Sequence, residues 1–471
     1  MDELTRKTAR EVVALLCRGE VTPVELIKAA AARIAAVEPA VNALPTLCLE
    51  RARDRARALM ARPPEERGPL AGLPLAVKDL DPVAGVRTTL GSPIYADSVP
   101  ERSDIMVETL EARGGIVIGK SNTPEFGAGA NTFNEVFGKT LNPWDTRKTC
   151  GGSSGGSAVA LASGECWLAT GSDLGGSLRT PASFCSVVGF RPSPGRVAEG
   201  PNPFPFNSLA VNGPMARTVG DAALMLDAMV GRHPEDPRSF DPPRQPFVAA
   251  VDEPTAPRRV AFSPDLGVMP VDPEVAAICA RAAARFAETG AAVEQATPDF
   301  SGAGEAFQSL RAAGFVASFG ALYETDRDRL KPEIVWNIEA GLALSATDIA
   351  RAERLRGALF HRIAGFFRDH DLLLCPAAAV PPFDVEQRYV EAIGETRFDN
   401  YIDWLGVTYA VTLTSCPAIS VPCGFTAEGL PVGLQIVGPP RGEAAVLSAA
   451  ALFEARSGIA ARLPIDPRAG S

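Results

Sequence analysis

Short β-branched and apolar runs alternate with helix-like stretches along most of this chain, and that alternation constrains its fold most. Strand-like runs lie at Leu73–Val77, Ile116–Ile118, 166–170, 187–190, Arg259–Phe262, 372–375, 418–422 and 432–437. Helix-like stretches lie at Ser103–Arg113, 154–163, 272–288, 347–369 and 443–455. The pattern predicts an α/β sheet covered by helices on both faces. Residues 1–62 read as helices, with Thr22 as a cap, Pro23 at the first helical position and Glu25 closing a capping box. The helix over 48–61 is Arg-rich and expected at the surface. Residues 233–257, rich in Pro, Asp and Glu, read as a connector.

The balance of charge removes several function classes. A net charge of −10 speaks against a general nucleic-acid surface. No run approaches the ~20 apolar residues of a membrane-spanning helix. The nine cysteines are scattered without CxxC spacing, which points to reduced thiols and a cytoplasmic setting. Only seven lysines occur, so each one is informative.

Two motif matches are decoys. Gly114–Ser121 fits the phosphate-loop pattern GxxxxGKS, but a helix precedes it and its variable positions are Ile116, Val117 and Ile118, which favour a buried strand. Gly151–Gly155 contains GxSxG, yet a turn-like polar segment, not a buried strand, leads into it. A triad of that kind also needs a histidine. His233 sits in the connector, and His361 and His370 lie in an Arg-rich helix and at its end.

Three other features converge on one chemistry. The glycines of GGSSGGSA (151–158) open a helix, where free N–H groups and the dipole favour negative charge. In Gly171–Ala182, glycines sit directly before Ser177, letting the backbone approach a substrate and aim several N–H groups at one point, as an oxyanion hole requires. Lys78 ends an apolar run, where sites form in α/β sheets.

Together these segments resemble the amidase-signature family. The matching stretches are GLPLAVKD (72–79), NPWD (142–145), GGSSGGSA (151–158), GSDLGGSLRTPA (171–182) and VVGFRPS (187–193), with PAISVPCG (417–424) and PVGLQIVG (431–438) later. The resemblance implies a single large domain over 63–471 with a central mixed sheet and the N-terminal segment packed on it. It makes Ser177 the nucleophile, Ser153 a bridging hydroxyl after a cis Gly152–Ser153 bond, and Lys78 the base. Leu174, Gly175, Gly176 and Ser177 would supply oxyanion N–H groups, while Ser154, Asp173 and Arg179 would support the site.

The chain departs from the family's pattern at Cys150, often proline in relatives, and over Asn131–Phe137, which puts substrate choice in doubt. Phe133, Phe137, Phe204 and Phe206 flank the motifs and are candidates to line an apolar pocket.

The reaction implied is hydrolysis of a carboxamide C–N bond through an acyl-enzyme on Ser177, releasing a carboxylate plus ammonia or an amine. An amine base must be neutral to act, and burial lowers a lysine pKa by up to roughly 3–5. No metal or organic cofactor is expected. The expected partner is a small-molecule amide, without nucleic acid or membrane; a homodimer is left open. The alternative is the ammonia-releasing component of a tRNA-dependent amidotransferase, which would need a protein partner. A catalytically silent binding protein of the same fold is disfavoured by the intact triad positions.

Overall fold

The computed structural model describes residues 1–469. Eleven strands form one sheet: β1 (Thr46–Leu47), β2 (Pro74–Lys78), β3 (Ile116–Ser121), β4 (Leu168–Asp173), β5 (Val188–Arg191), β6 (Val211–Ala216), β7 (Arg259–Phe262), β8 (Ala292–Gln295), β9 (Leu372–Pro376), β10 (Ala418–Phe425) and β11 (Pro431–Val437). Their order across the sheet is β1-β3-β2-β4-β6-β5-β10-β11-β9-β7-β8. The β3-β2-β4 and β9-β7-β8 neighbours are parallel, and the remaining pairs antiparallel, so the sheet is mixed. Helices cover it, and the chain is one α/β domain of the expected class.

The local signals work as their chemistry suggests. The helix Pro23–Val41 opens with Thr22 and Glu25 in a reciprocal capping box and Pro23 in the first turn. The helix Leu49–Met60 buries only Ala52 and Ala56, leaving its arginines outward. The N-terminal segment also contributes β1, which pairs antiparallel with β3 at one sheet edge. Within 233–257, the short helix Phe247–Asp252 packs Phe247 into the main apolar core.

The phosphate-loop match is strand β3, buried at every position. Lys120 points inward, donating to the Asp81 carbonyl at 2.6 Å and Thr88 Oγ1 at 2.8 Å, with Asp79 Oδ1 at 3.4 Å. Its ammonium is therefore occupied in the core.

Strand β6 escapes the sequence reading because Asn212-Gly213-Pro214 looks like a turn. It is nevertheless the antiparallel neighbour of β4, with Pro214 opposite Thr170 and Gly213 opposite Gly171. That register seats the β4 strand whose end carries the Gly171–Ser177 loop. Among the described residues, no helix is long and apolar enough to cross a membrane.

Candidate active site

The site is assembled at the ends of two adjacent parallel strands. Lys78 closes β2, and Ser172 and Asp173 close β4. Between them in sequence, GGSSGG turns into helix α1 (Gly155–Ser163). Gly156 is required there, because a Cβ would stand 2.3 Å from the Asn122 backbone nitrogen. The peptide bond between Gly152 and Ser153 is cis.

These strand ends bring the lysine and the serines together. Lys78 is fully buried, and its Nζ donates to Ser153 Oγ at 2.7 Å, Ser154 Oγ at 2.9 Å and Ser172 Oγ at 3.0 Å. Sequence reasoning misses Ser172, although its place at a strand end beside Lys78 was a usable signal. Burial pushes the Lys78 amine down to about 7, against the opposing pull of Asp81 and Asp173. Burial also raises the Asp81 carboxyl to about 6, although Lys120 and Lys78 hold it down.

Ser177 lies on the loop after β4 and lines the same cavity as Ser153. Its carbonyl accepts from the Ser154 N–H at 3.1 Å, which ties the two serine loops together. The Ser177 hydroxyl carries no hydrogen bond among the described residues.

The loop holding Ser177 is braced from below. Asp173 receives Arg179 through Nε at 2.9 Å and Nη2 at 2.8 Å, and Arg191 lies 3.4 Å away. All three side chains are completely buried. Burial alone would raise the Asp173 carboxyl, but the paired guanidiniums hold it well below the usual carboxylate range. Arg179, at the start of helix α2 (Arg179–Cys185), also donates to Gln435 Oε1 at 2.5 Å and the Thr408 carbonyl at 2.9 Å. Asp173 and Arg179 thus tie down the loop that carries Ser177, while Ser154 contacts both Lys78 and the Ser177 carbonyl.

Truncating one partner of a buried pair costs ~3–5 kcal/mol. Asp173→Ala is therefore expected to lower the melting temperature by many degrees, as read by thermal unfolding. A melting point within a degree of wild type would refute this account of the brace.

Of the four expected oxyanion donors, one is corrected. Gly176 lines the cavity, but its N–H donates to Asp173 Oδ1 at 2.9 Å and is already taken. Gly176 serves a different need: its φ is 120°, and a Cβ there would stand 2.4 Å from Thr408 Oγ1. The N–H groups of Leu174, Gly175 and Ser177 have no partner among the described residues, and all three residues line the cavity.

The four pocket phenylalanines expected from the sequence are also corrected. Phe133 lies under Lys331 and Arg388, with their charges 4.4 and 4.9 Å from its ring centre. Phe137 lies 5.0 Å under Arg87. Phe206 is 76% exposed, and Phe204 lines only an adjoining outer cavity. Closeness to a motif along the chain did not carry them to the cavity beside Ser177, whose lining includes none of the four.

The wall beside Ser177 is instead built from Leu80, Phe126, Phe307, Phe315, Ile402 and Leu405, with Tyr401 and Arg311. Phe307, Arg311 and Phe315 project from helix α3 (Ala303–Asp326). Their spacing of four residues was a usable signal for one helix face. No histidine lines the cavity. Among the described residues, no group of three or more His, Cys, Asp or Glu side chains is gathered to hold a metal.

Residues 25–447 match the family model described as Amidase. The chain belongs to the amidase family. Across 98% of its length it is 37% identical to the acylamidase of Rhodococcus erythropolis, covering 97% of that protein. It is also 36% identical to the A-type component of the glutamyl-tRNA(Gln) amidotransferase of Moorella thermoacetica, over 96% of this chain and 97% of that one. A bacterial aryl acylamidase of the amidase-signature enzymes superposes with a TM-score of 0.89 at 30% identity, covering 98% of this chain and 99% of that one. This amidase-family chain is an amide-hydrolysing enzyme.

Proposed function

We propose that the protein cleaves a carboxamide through an acyl-enzyme on Ser177, with Lys78 as base and Ser153 as proton relay. The observation that carries this reading is Lys78: a fully buried amine, pushed down to about 7 and hydrogen-bonded to Ser153 Oγ at 2.7 Å. At neutral pH a large share of it is unprotonated and able to accept a proton.

The Ser177 proton passes to Ser153 Oγ while the Ser153 proton passes to Lys78 Nζ, and a bond forms between Ser177 Oγ and the amide carbon. Ser153 and Ser177 line the same cavity, and their hydroxyls come to hydrogen-bond distance on substrate binding, as catalytic hydrogen bonds commonly tighten in the complex. The developing oxyanion is held by the N–H groups of Leu174, Gly175 and Ser177. The C–N bond then breaks, and the relay returns a proton to the leaving nitrogen. Water attacks the ester by the same path, giving a carboxylate and freeing Ser177.

A glutaminase role within a tRNA-dependent amidotransferase is the second reading, favoured by the relative from Moorella thermoacetica. The cavity wall favours the first. It is largely aromatic and aliphatic, and no Asp or Glu lines it to meet the ammonium of glutamine. The partner of the site is accordingly a small-molecule amide with an aryl or aliphatic segment beside the scissile bond.

Assaying the purified chain alone on anilides, aliphatic amides, ureas and glutamine separates the two. Hydrolysis of anilides or aliphatic amides at a kcat/KM at least about 100-fold above glutamine is expected, since an unpaired buried charge opposes glutamine binding. Activity confined to glutamine, or appearing only with added partner proteins, would overturn the first reading.

A further inference from the structure

Helix α3 places one charge in this apolar cavity. Arg311 is 7% exposed, yet it has no ion pair among the described residues. Four other buried arginines meet carboxylates: Arg179 and Arg191 meet Asp173, Arg196 meets Glu443 and Arg33 meets Asp466, whereas Arg217, away from the cavity, holds backbone carbonyls. Arg311 has only neutral acceptors. It donates to Asn337 Oδ1, on helix α4 (Pro332–Leu342), and through Nη2 to Tyr401 Oη at 2.7 Å. Its Nε–H has no partner among the described residues.

The guanidinium is held in place. It stacks 4.4 Å from the Phe315 ring centre and 5.4 Å from that of Tyr401. Tyr401 Oη accepts a second hydrogen bond, from Asn337 Nδ2 at 2.6 Å. With two donors on its oxygen, the phenol proton is left for an acceptor of its own. Arg311 also lines the adjoining cavity that holds Phe204 and Phe319, so it stands where the two spaces meet.

A buried guanidinium without an anion is costly, and the cost is relieved when a ligand brings one. No acid lines the cavity beside Ser177, and Glu199 in the adjoining cavity is already paired with Arg238.

We infer that Arg311, with Tyr401, reads a carboxylate on the substrate, remote from the scissile amide and separated from it by an apolar spacer. Phe126, Phe307 and Phe315 enclose the spacer, and Ser177 attacks at its other end. Arg311 is a specificity residue in this assignment, and the inference rests on the amide-hydrolase reading above.

The test compares matched 4-nitroanilides: the half-acid anilides of glutaric, adipic and suberic acids against anilides of monocarboxylic acids of equal chain length. Wild-type enzyme is expected to favour at least one half-acid by about tenfold or more in kcat/KM, the worth of one charge-assisted hydrogen bond. The advantage resides in KM. Arg311→Met brings the ratio within each pair close to one, and Arg311→Lys restores part of it. Wild type alone supplies a second readout: free adipate or suberate inhibits competitively at lower concentration than the corresponding diamide.

Two results overturn the inference: no half-acid preferred by wild type, or Arg311→Met lowering both members of each pair equally, as a purely structural tie to Asn337 would. Failure to cleave any anilide or aliphatic amide would instead overturn the amide-hydrolase reading itself.

Discussion

Ser177→Ala is expected to reduce turnover of every amide the wild type cleaves by about 10⁴-fold or more, the scale at which loss of a nucleophile acts in serine hydrolases. Alanine removes the atom that forms the bond to carbon, and no neighbour replaces it. Ser153 Oγ accepts from Lys78, and Ser154 Oγ does the same while lying beside the Ser172 carbonyl at 3.3 Å. The backbone N–H groups of Leu174, Gly175 and Ser177 survive the substitution, so substrate affinity should change little. Stability should also hold, because the Ser177 hydroxyl has no hydrogen bond to lose among the described residues.

The decisive measurement is intact-protein mass after mixing with a slowly deacylating ester or carbamate. Wild type should gain one acyl group, located by peptide mapping on Ser177, and Ser177→Ala should gain none. Acylation at Ser153 or Ser154, or a variant turning over near the wild-type rate, would refute the assignment of the nucleophile.

The sheet and the serine–lysine cluster were legible because each is written locally. A buried strand shows as an apolar run whatever its neighbours are, as with Leu73–Val77, which overlaps β2 from Pro74 to Val77. The glycines of 151–156 and 171–176 declare close backbone approach by themselves. Strand β6 was hidden because its Gly213 and Pro214 imitate a turn, while its place in the sheet depends on pairing with β4 and β5.

The substrate wall was illegible for a related reason. It is made from α3, Tyr401 and Phe126, which are distant in sequence from one another and meet only in the folded protein. Helix α3 carries Gly304, Gly314 and Gly320, which weaken its local helix signal. Its anchors are tertiary: Phe307 stacks on Tyr409 with ring centres 4.5 Å apart, and Arg311 reaches Tyr401. Likewise, Gly176 looked like an oxyanion donor in the motif, and only the position of Asp173 shows where its N–H goes.

Lys78→Met is expected to lower kcat/KM by about 10²–10⁴-fold while leaving the protein folded, which is the range for removing a general base. Methionine fills the buried position with a stem of similar length but cannot accept a proton. Lys78→Arg should be equally inactive at every accessible pH, since a guanidinium stays protonated.

The wild-type pH profile gives the sign of the effect. Burial lowers the Lys78 amine to about 7, and the proton-free amine is the working form. Activity should therefore rise as pH passes upward through about 7, and fall roughly tenfold per unit below it. An unperturbed lysine at ~10.4 would put that ascending limb above pH 10. The coupling of Lys78 to Asp81, itself raised to about 6, makes the limb a property of the pair. Asp81→Asn should consequently move the limb to lower pH, because the carboxylate that favours the ammonium is gone. A kcat/KM flat from pH 5.5 to 9 in the wild type, or a folded Lys78→Met enzyme near full rate, would leave the buried amine without its proposed task.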